Sequence, residues 1–209
     1  MTQTPLIVLN ELELDALTEL VNLGVSQAAF SLARMVKDEV ILSVPKVTLV
    51  SREEAIVIMS EADVKNLLAV HQIFEGDISG RALLIFPEAK SLELVRAVVG
   101  GELSLEEITE LEQEALAEIG NVILNGCLAT MANQLERSLR ISLPEIIQGS
   151  ARDFFNLEPP PVGGAMVMFI YINFSVKQRD IDGYIAMMMD MPSLESLQML
   201  LGQYIRRST

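Results

Sequence analysis

The chain has 209 residues, half of them hydrophobic and 21% charged, a composition that fits one folded domain and excludes disorder as its main state. Acidic residues outnumber basic ones 29 to 15, and the net charge of −14 argues against nucleic acid and anionic membrane surfaces as partners. With Cys127 and His71 the single residues of their kinds, no internal disulfide or cysteine-rich zinc site is available, and His-based metal sites and Ser-His-Asp triads have little to be built from.

The N-terminal stretch has no positive leader before its short apolar patch, so it does not read as a secretory signal, and a cytoplasmic location is expected. A helical pattern begins near Asn10, where Glu13 completes a capping box, and runs to about Lys37 through Leu17, Val21, Ala28, Leu32 and Met35. An extended apolar segment, Val40–Val50, follows, with Pro45 at its centre; proline in a strand suggests an edge or a bulge. Val70–Phe74 and Arg81–Phe86 flank the turn Glu75-Gly76-Asp77 as a hairpin. A short helix, Ser91–Gly100, closes this half.

The same order then recurs. A second long helix starts after Ser104, with Glu107 completing its capping box, and runs to about Ser138 through Leu116, Ile123, Cys127 and Met131. It leads into Leu139–Ile147, centred on Pro144. Residues 149–164, with Pro159-Pro160-Pro161, read as a loop. Ala165–Val176 and Tyr184–Met189 form the second hairpin around Lys177–Gly183, and Ser193–Gly202 matches Ser91–Gly100. Although mean hydropathy is +0.37, the longest apolar stretch, near Gly163–Val176, is too short to span a bilayer and reads as a buried strand. The expected fold is α+β, a single domain of two repeats, about 10–101 and 104–206. The repeats have pseudo-two-fold symmetry and share an antiparallel sheet flanked by the two long helices.

The repeat extends to polar residues, which a buried core does not require. Asp15, Glu19 and Asn22 lie at i, i+4 and i+7, one narrow helix face, and Glu114, Glu118 and Asn121 repeat the spacing. Both asparagines are expected to be exposed, opposite the apolar face. Glycine stands near each, Gly24 and Gly120, a costly helix residue that lets another surface approach closely. Pro45 lies 23 positions after Asn22, and Pro144 lies 23 after Asn121. A solvated acidic face is the ordinary reading of one such stripe; two copies in register with matched prolines favour a site.

These residues resemble the CheC phosphatases of bacterial and archaeal chemotaxis, relatives of CheX and FliY. The family motif of Asp or Ser, Glu, Asn and a downstream Pro is matched by Asp15, Glu19, Asn22 and Pro45, and by Glu118, Asn121 and Pro144. The stretch Glu118-Ile-Gly-Asn-Val-Ile-Leu-Asn-Gly is similar to the family's wording there. Glu114 stands where Asp or Ser is usual and Val21 where glycine is usual, departures expected to alter docking and to crowd a partner's backbone.

The resemblance implies hydrolysis of the aspartyl phosphate on a CheY-type receiver, at up to two sites per chain. Asn22 and Asn121 would orient the attacking water. Glu19 and Glu118 would pair with the receiver lysine, and Asp15 and Glu114 would aid docking. Pro45 and Pro144 would shape the neighbouring strand. The receiver would carry Mg²⁺, so no metal or other cofactor of the chain's own is implied. The alternative is a non-catalytic adaptor that binds phosphorylated receiver or restrains the CheD deamidase; a FliY-like switch component fits less well, since the two repeats use up the chain.

Of the remaining candidates, His71 and Met187-Met188-Met189 read as structural, and Cys127 as a buried, inert thiol. Asn125 extends the second stripe by one turn and is expected to be solvated.

Overall fold

The computed structural model describes residues 8–36, 39–61, 66–99, 105–157, 165–176 and 179–208. In chain order, α1 (Glu11–Val36) leads to β1 (Val40–Ser51), α2 (Arg52–Glu61), β2 (Leu67–Gly76), β3 (Gly80–Pro87) and α3 (Glu88–Val99). The second half runs α4 (Leu105–Gln134), β4 (Leu139–Ile141), β5 (Glu145–Gly149), α5 (Ala151–Phe155), β6 (Ala165–Val176), β7 (Arg179–Asp190) and α6 (Met191–Ser208). The α+β class, the long helices and both closing helices agree with the sequence, and both hairpins form; the second is longer than expected, since residues 179–183, read as part of its turn, pair with β6 as the start of β7. The capping residue Ser104, the prolines at 159–161 and the hairpin residues 177–178 lie outside the described residues.

Two short helices depart from the expected pattern. α2 follows β1 directly, and α5 occupies part of the stretch read as a loop. The side chain of Ser150 accepts from the Asp153 amide while the Asp153 carboxylate takes the Ser150 amide, which starts the helix; Phe154 and Phe155 then bury its inner side.

One antiparallel sheet joins the halves in the order β1-β6-β7-β3-β2-β4, with β5 also on β2. Exchanging β1 for β4 and β5, β2 for β6 and β3 for β7 reproduces that order. Both faces are covered, so the strands are apolar on both sides and lack clean alternation. Leu68, Val70, Met168, Ile185 and Met187 pack under α1, α3, α4 and α6. Leu67, Ala69, Val167 and Met188 pack under α2 and α5 with Met59, Phe154 and Phe155. The three methionines are therefore core, divided between the two faces by strand alternation.

Both prolines interrupt an outer strand. The β1–β6 register slips between Ser43 and Lys46, a one-residue bulge at Val44-Pro45. Pro144 falls in the gap between β4 and β5, which both pair with β2. Across that gap the Ser142 amide donates to the Ile73 carbonyl at 2.8 Å, and the Ile73 amide donates to Ser142 Oγ at 2.9 Å.

The long helices lie side by side on one face of the sheet. A Cβ on Gly24 would stand 2.8 Å from Cys127 Cα, and one on Gly126 3.0 Å from Ala28 Cα, so the two backbones meet. Leu111–Gln134 of α4 is long and apolar enough to cross a membrane, yet half of it is buried, with Leu116, Ile119, Ile123 and Leu124 in the core. Cys127 is buried at the crossing, and burial pushes its thiol up to about 12, in keeping with an inert role.

Gly24→Ala should destabilise the fold by about 1–3 kcal/mol, because its methyl meets backbone that cannot move aside. Gly202→Ala, whose nearest neighbour would be the flexible Arg206 guanidinium at 3.6 Å, should stabilise it by up to ~1 kcal/mol. Urea unfolding of both variants measures the difference. His71 is buried in β2 with Nδ1 3.6 Å from the Glu145 carboxylate. Burial lowers its pKa below the ordinary 6.5, Arg81 adds to the shift, and Glu145 opposes it. The unfolded chain therefore binds this proton first, and the unfolding free energy should fall as the pH drops from 6.5 toward the folded pKa. His71→Leu should flatten that slope in urea titrations at stepped pH.

Candidate functional site

At the start of α1 the Asn10 side chain accepts from the Glu13 amide at 3.0 Å, and the Glu13 carboxylate accepts from the Asn10 amide at 2.9 Å. The helix then turns Leu17, Leu20, Val21 and Val25 into the core. The opposite face carries Asp15, Glu19 and Asn22, all exposed. With Thr18, Leu23 and Ser26 they line a shallow open groove along the helix. Among the described residues, none of these three side chains is tied to another part of the chain.

The second stripe has the same spacing and a different setting. Glu114 and Glu118 are exposed, but Asn121 is half-buried, contrary to the expectation from the sequence. Its side-chain oxygen accepts from Asn125 Nδ2 at 2.7 Å and from Gln72 Nε2 at 3.1 Å. Gln72 Nε2 also donates to the Ser142 main-chain carbonyl at 2.9 Å. That carbonyl only accepts, so it fixes the amide group of Gln72 as the end facing α4. The Asn121 atom in front of it is therefore the oxygen. Asn125 is thus bonded to its neighbour one turn away, not simply solvated.

Gln72 is fully buried, and its own Oε1 has no partner among the described residues, which costs about 1–3 kcal/mol. Nothing in the sequence singled it out. It is one polar residue within an apolar strand, and its partners lie 49 to 70 positions away.

The depth of Asn121 follows from its neighbour. A Cβ on Gly120 would stand 2.5 Å from Val70 side-chain atoms, so glycine there lets α4 settle onto β2. The close surface is the chain's own sheet. Val21, in the matching place on α1, is 1% exposed and packs in the core, so it cannot crowd a partner's backbone. Beside Asn121 and Asn125, a second groove runs between α4 and Gln27 and Ser31 of α1.

The structure thus brings each Glu-x-x-Asn pair together on the outer side of one helix layer. Pro45 and Pro144 lie in the interrupted outer strands. Among the described residues, no group of three or more His, Cys, Asp or Glu side chains is placed to hold a metal ion. An exposed amide next to an exposed carboxylate offers a hydrogen-bond acceptor, a donor and a negative charge to an incoming surface. It has no nucleophile of its own.

The chain is similar to several known chemotaxis proteins. A family model described as chemotaxis phosphatase CheX matches residues 68–156, and the CheC-like family model matches residues 12–49. The CheY-P phosphatase CheC of Bacillus subtilis (strain 168) is 26% identical over 201 residues, 93% of this chain and 96% of that protein. The flagellar motor switch phosphatase FliY of the same organism is 22% identical over 140 residues, 66% of this chain and 36% of that protein. The crystal structure of Thermotoga maritima FliY shares the fold, with a TM-score of 0.70 at 19% identity, covering 95% of this chain and 100% of that one. Both stripes lie inside the matched stretches, and the chain is similar to the CheC, CheX and FliY chemotaxis proteins.

Proposed function

We propose that this chain is a cytoplasmic phosphatase that hydrolyses the aspartyl phosphate of a CheY-type receiver. The observation that carries the reading is Asp15, Glu19 and Asn22, exposed on one face of α1 and without a side-chain partner among the described residues. Relatives named CheY-P phosphatases support it.

Phosphoryl transfer depends on positioning and charge stabilisation more than on covalent help from the enzyme. The receiver supplies the Mg²⁺ and the phosphorylated aspartate. A water oxygen attacks phosphorus in line, the bond from phosphorus to the aspartyl oxygen breaks, and the carboxylate leaves. The Asn22 carbonyl accepts one water hydrogen, which turns a water lone pair toward phosphorus. Fixing that water supplies part of the barrier reduction open to orientation, at most about 7–11 kcal/mol in ideal systems. Glu19 forms a charge-assisted bond with the receiver lysine, and Asp15 extends the docking surface. Glu118 and Asn121 are the corresponding pair on α4, with Glu114 beside them.

The decay of a phosphorylated CheY-type receiver from the same organism tests the proposal. The wild-type chain should accelerate decay by roughly tenfold or more. Asn22→Ala/Asn121→Ala should not, while keeping the wild-type circular dichroism. Equal decay in all cases, with measurable receiver binding, would replace the phosphatase by an adaptor of receiver or of the CheD deamidase.

A further inference from the structure

The two motif copies differ beneath their asparagines. Pro45 and Pro144 mark matching points of the outer strands, so Val47 corresponds to Ile146. Val47 pairs with Ile170 of β6, and Ile146 pairs with Val70 of β2. Two residues further along, Ile172 therefore corresponds to Gln72. Ile172 is an apolar core residue, 2% exposed, whereas Gln72 holds the Asn121 oxygen. At the matching position the side chain is apolar and has no amide to give, and Asn22 remains exposed.

We infer that Gln72 is a built-in restraint on the second site: it holds Asn121 with its oxygen turned inward and leaves Asn22 to carry most of the activity. This rests on the phosphatase reading above. The reason is the directionality of the amide. An oxygen already taking two donors, Gln72 Nε2 and Asn125 Nδ2, has no lone pair left for the attacking water. The end of Asn121 that remains is its NH₂. An NH₂ takes up one of the water's two lone pairs and cannot accept a water hydrogen, so it lacks the acceptor that turns the other pair toward phosphorus at Asn22. Asn121 becomes productive only after it leaves Gln72.

The test uses the full chain and the same phosphoreceiver. Asn22→Ala alone should remove most of the acceleration, and Asn121→Ala alone should remove little. Adding Gln72→Leu to Asn22→Ala should raise the rate by roughly three- to tenfold, the factor that one net hydrogen bond is worth. Adding Asn121→Ala to that pair should abolish the gain. A gain of this kind would not come from a merely damaged core. If Asn22→Ala keeps half or more of the acceleration and Gln72→Leu lowers it, Gln72 positions a productive Asn121 and the restraint is wrong.

A second readout needs no activity. In side-chain amide NMR spectra, the Gln72 NH₂ should exchange slowly with water, and Gln72→Leu should shift the Asn121 NH₂ resonance. Fast exchange with no shift would overturn the restraint even where the phosphatase reading holds. A wild-type chain inactive on the receiver, with slow exchange and the shift present, would overturn the phosphatase reading and leave the contact standing.

Discussion

Backbone contact between α1 and α4 at Gly24 and Gly126 is the constraint from which the site follows. Each glycine costs a helix interior roughly 1 kcal/mol against alanine. In return the two helices approach until Cα atoms meet side by side on one face of the sheet. Each is then gripped on two sides, by its partner and by the strands below. What remains to solvent is one narrow strip per helix, and a helix gripped in this way cannot rotate about its axis. The side chains at i and i+4 of both helices, and Asn22 at i+7 of α1, are thereby aimed outward before any partner arrives. Rigid elements holding polar groups in fixed directions are what an orienting catalyst requires.

Much of this was legible along the chain. The 3.6-residue period of Leu17, Val21, Ala28 and Leu32 located the inner face of α1, and so the outer face carrying Glu19 and Asn22. The two prolines announced interrupted outer strands, which the bulge at Val44-Pro45 and the gap at Pro144 bear out. The unread parts share a physical cause. α5 is held by one capping box and two buried phenylalanines, too short a run to show a period. Gln72 acts through contacts with α4 and Ser142 that only the folded sheet creates. The sequence marks Gly120 as a place of close approach but cannot show the approaching surface, because that surface is Val70 in another element.

This separates two things that a repeated motif mixes together. Spacing along a helix fixes the angle at which a side chain leaves the axis. It says nothing of how far the axis stands from the sheet. The residue on the inner side differs between the two helices: valine at 21, buried in the core, and glycine at 120, against Val70. The close approach at Gly120 puts its flanking polar residue within reach of β2. Asn121 is half-buried while Asn22 is exposed, although their spacing along the sequence matches.

Depth then acts on chemistry through the two ends of the amide. An exposed asparagine presents either its oxygen or its NH₂ to an incoming group, and the group decides. A half-buried one has that choice made by whatever lies beneath it. Below Asn121 lies Gln72, itself oriented by a main-chain carbonyl that accepts and never donates. The direction of one peptide group, Ser142 on the connection beside Pro144, is thus passed through Gln72 to the exposed end of Asn121. At the corresponding strand position of the first half stands apolar Ile172, and among the described residues Asn22 has no such donor. Identical side chains at identical spacing differ in what they offer a water molecule, and the difference is written in the strand underneath.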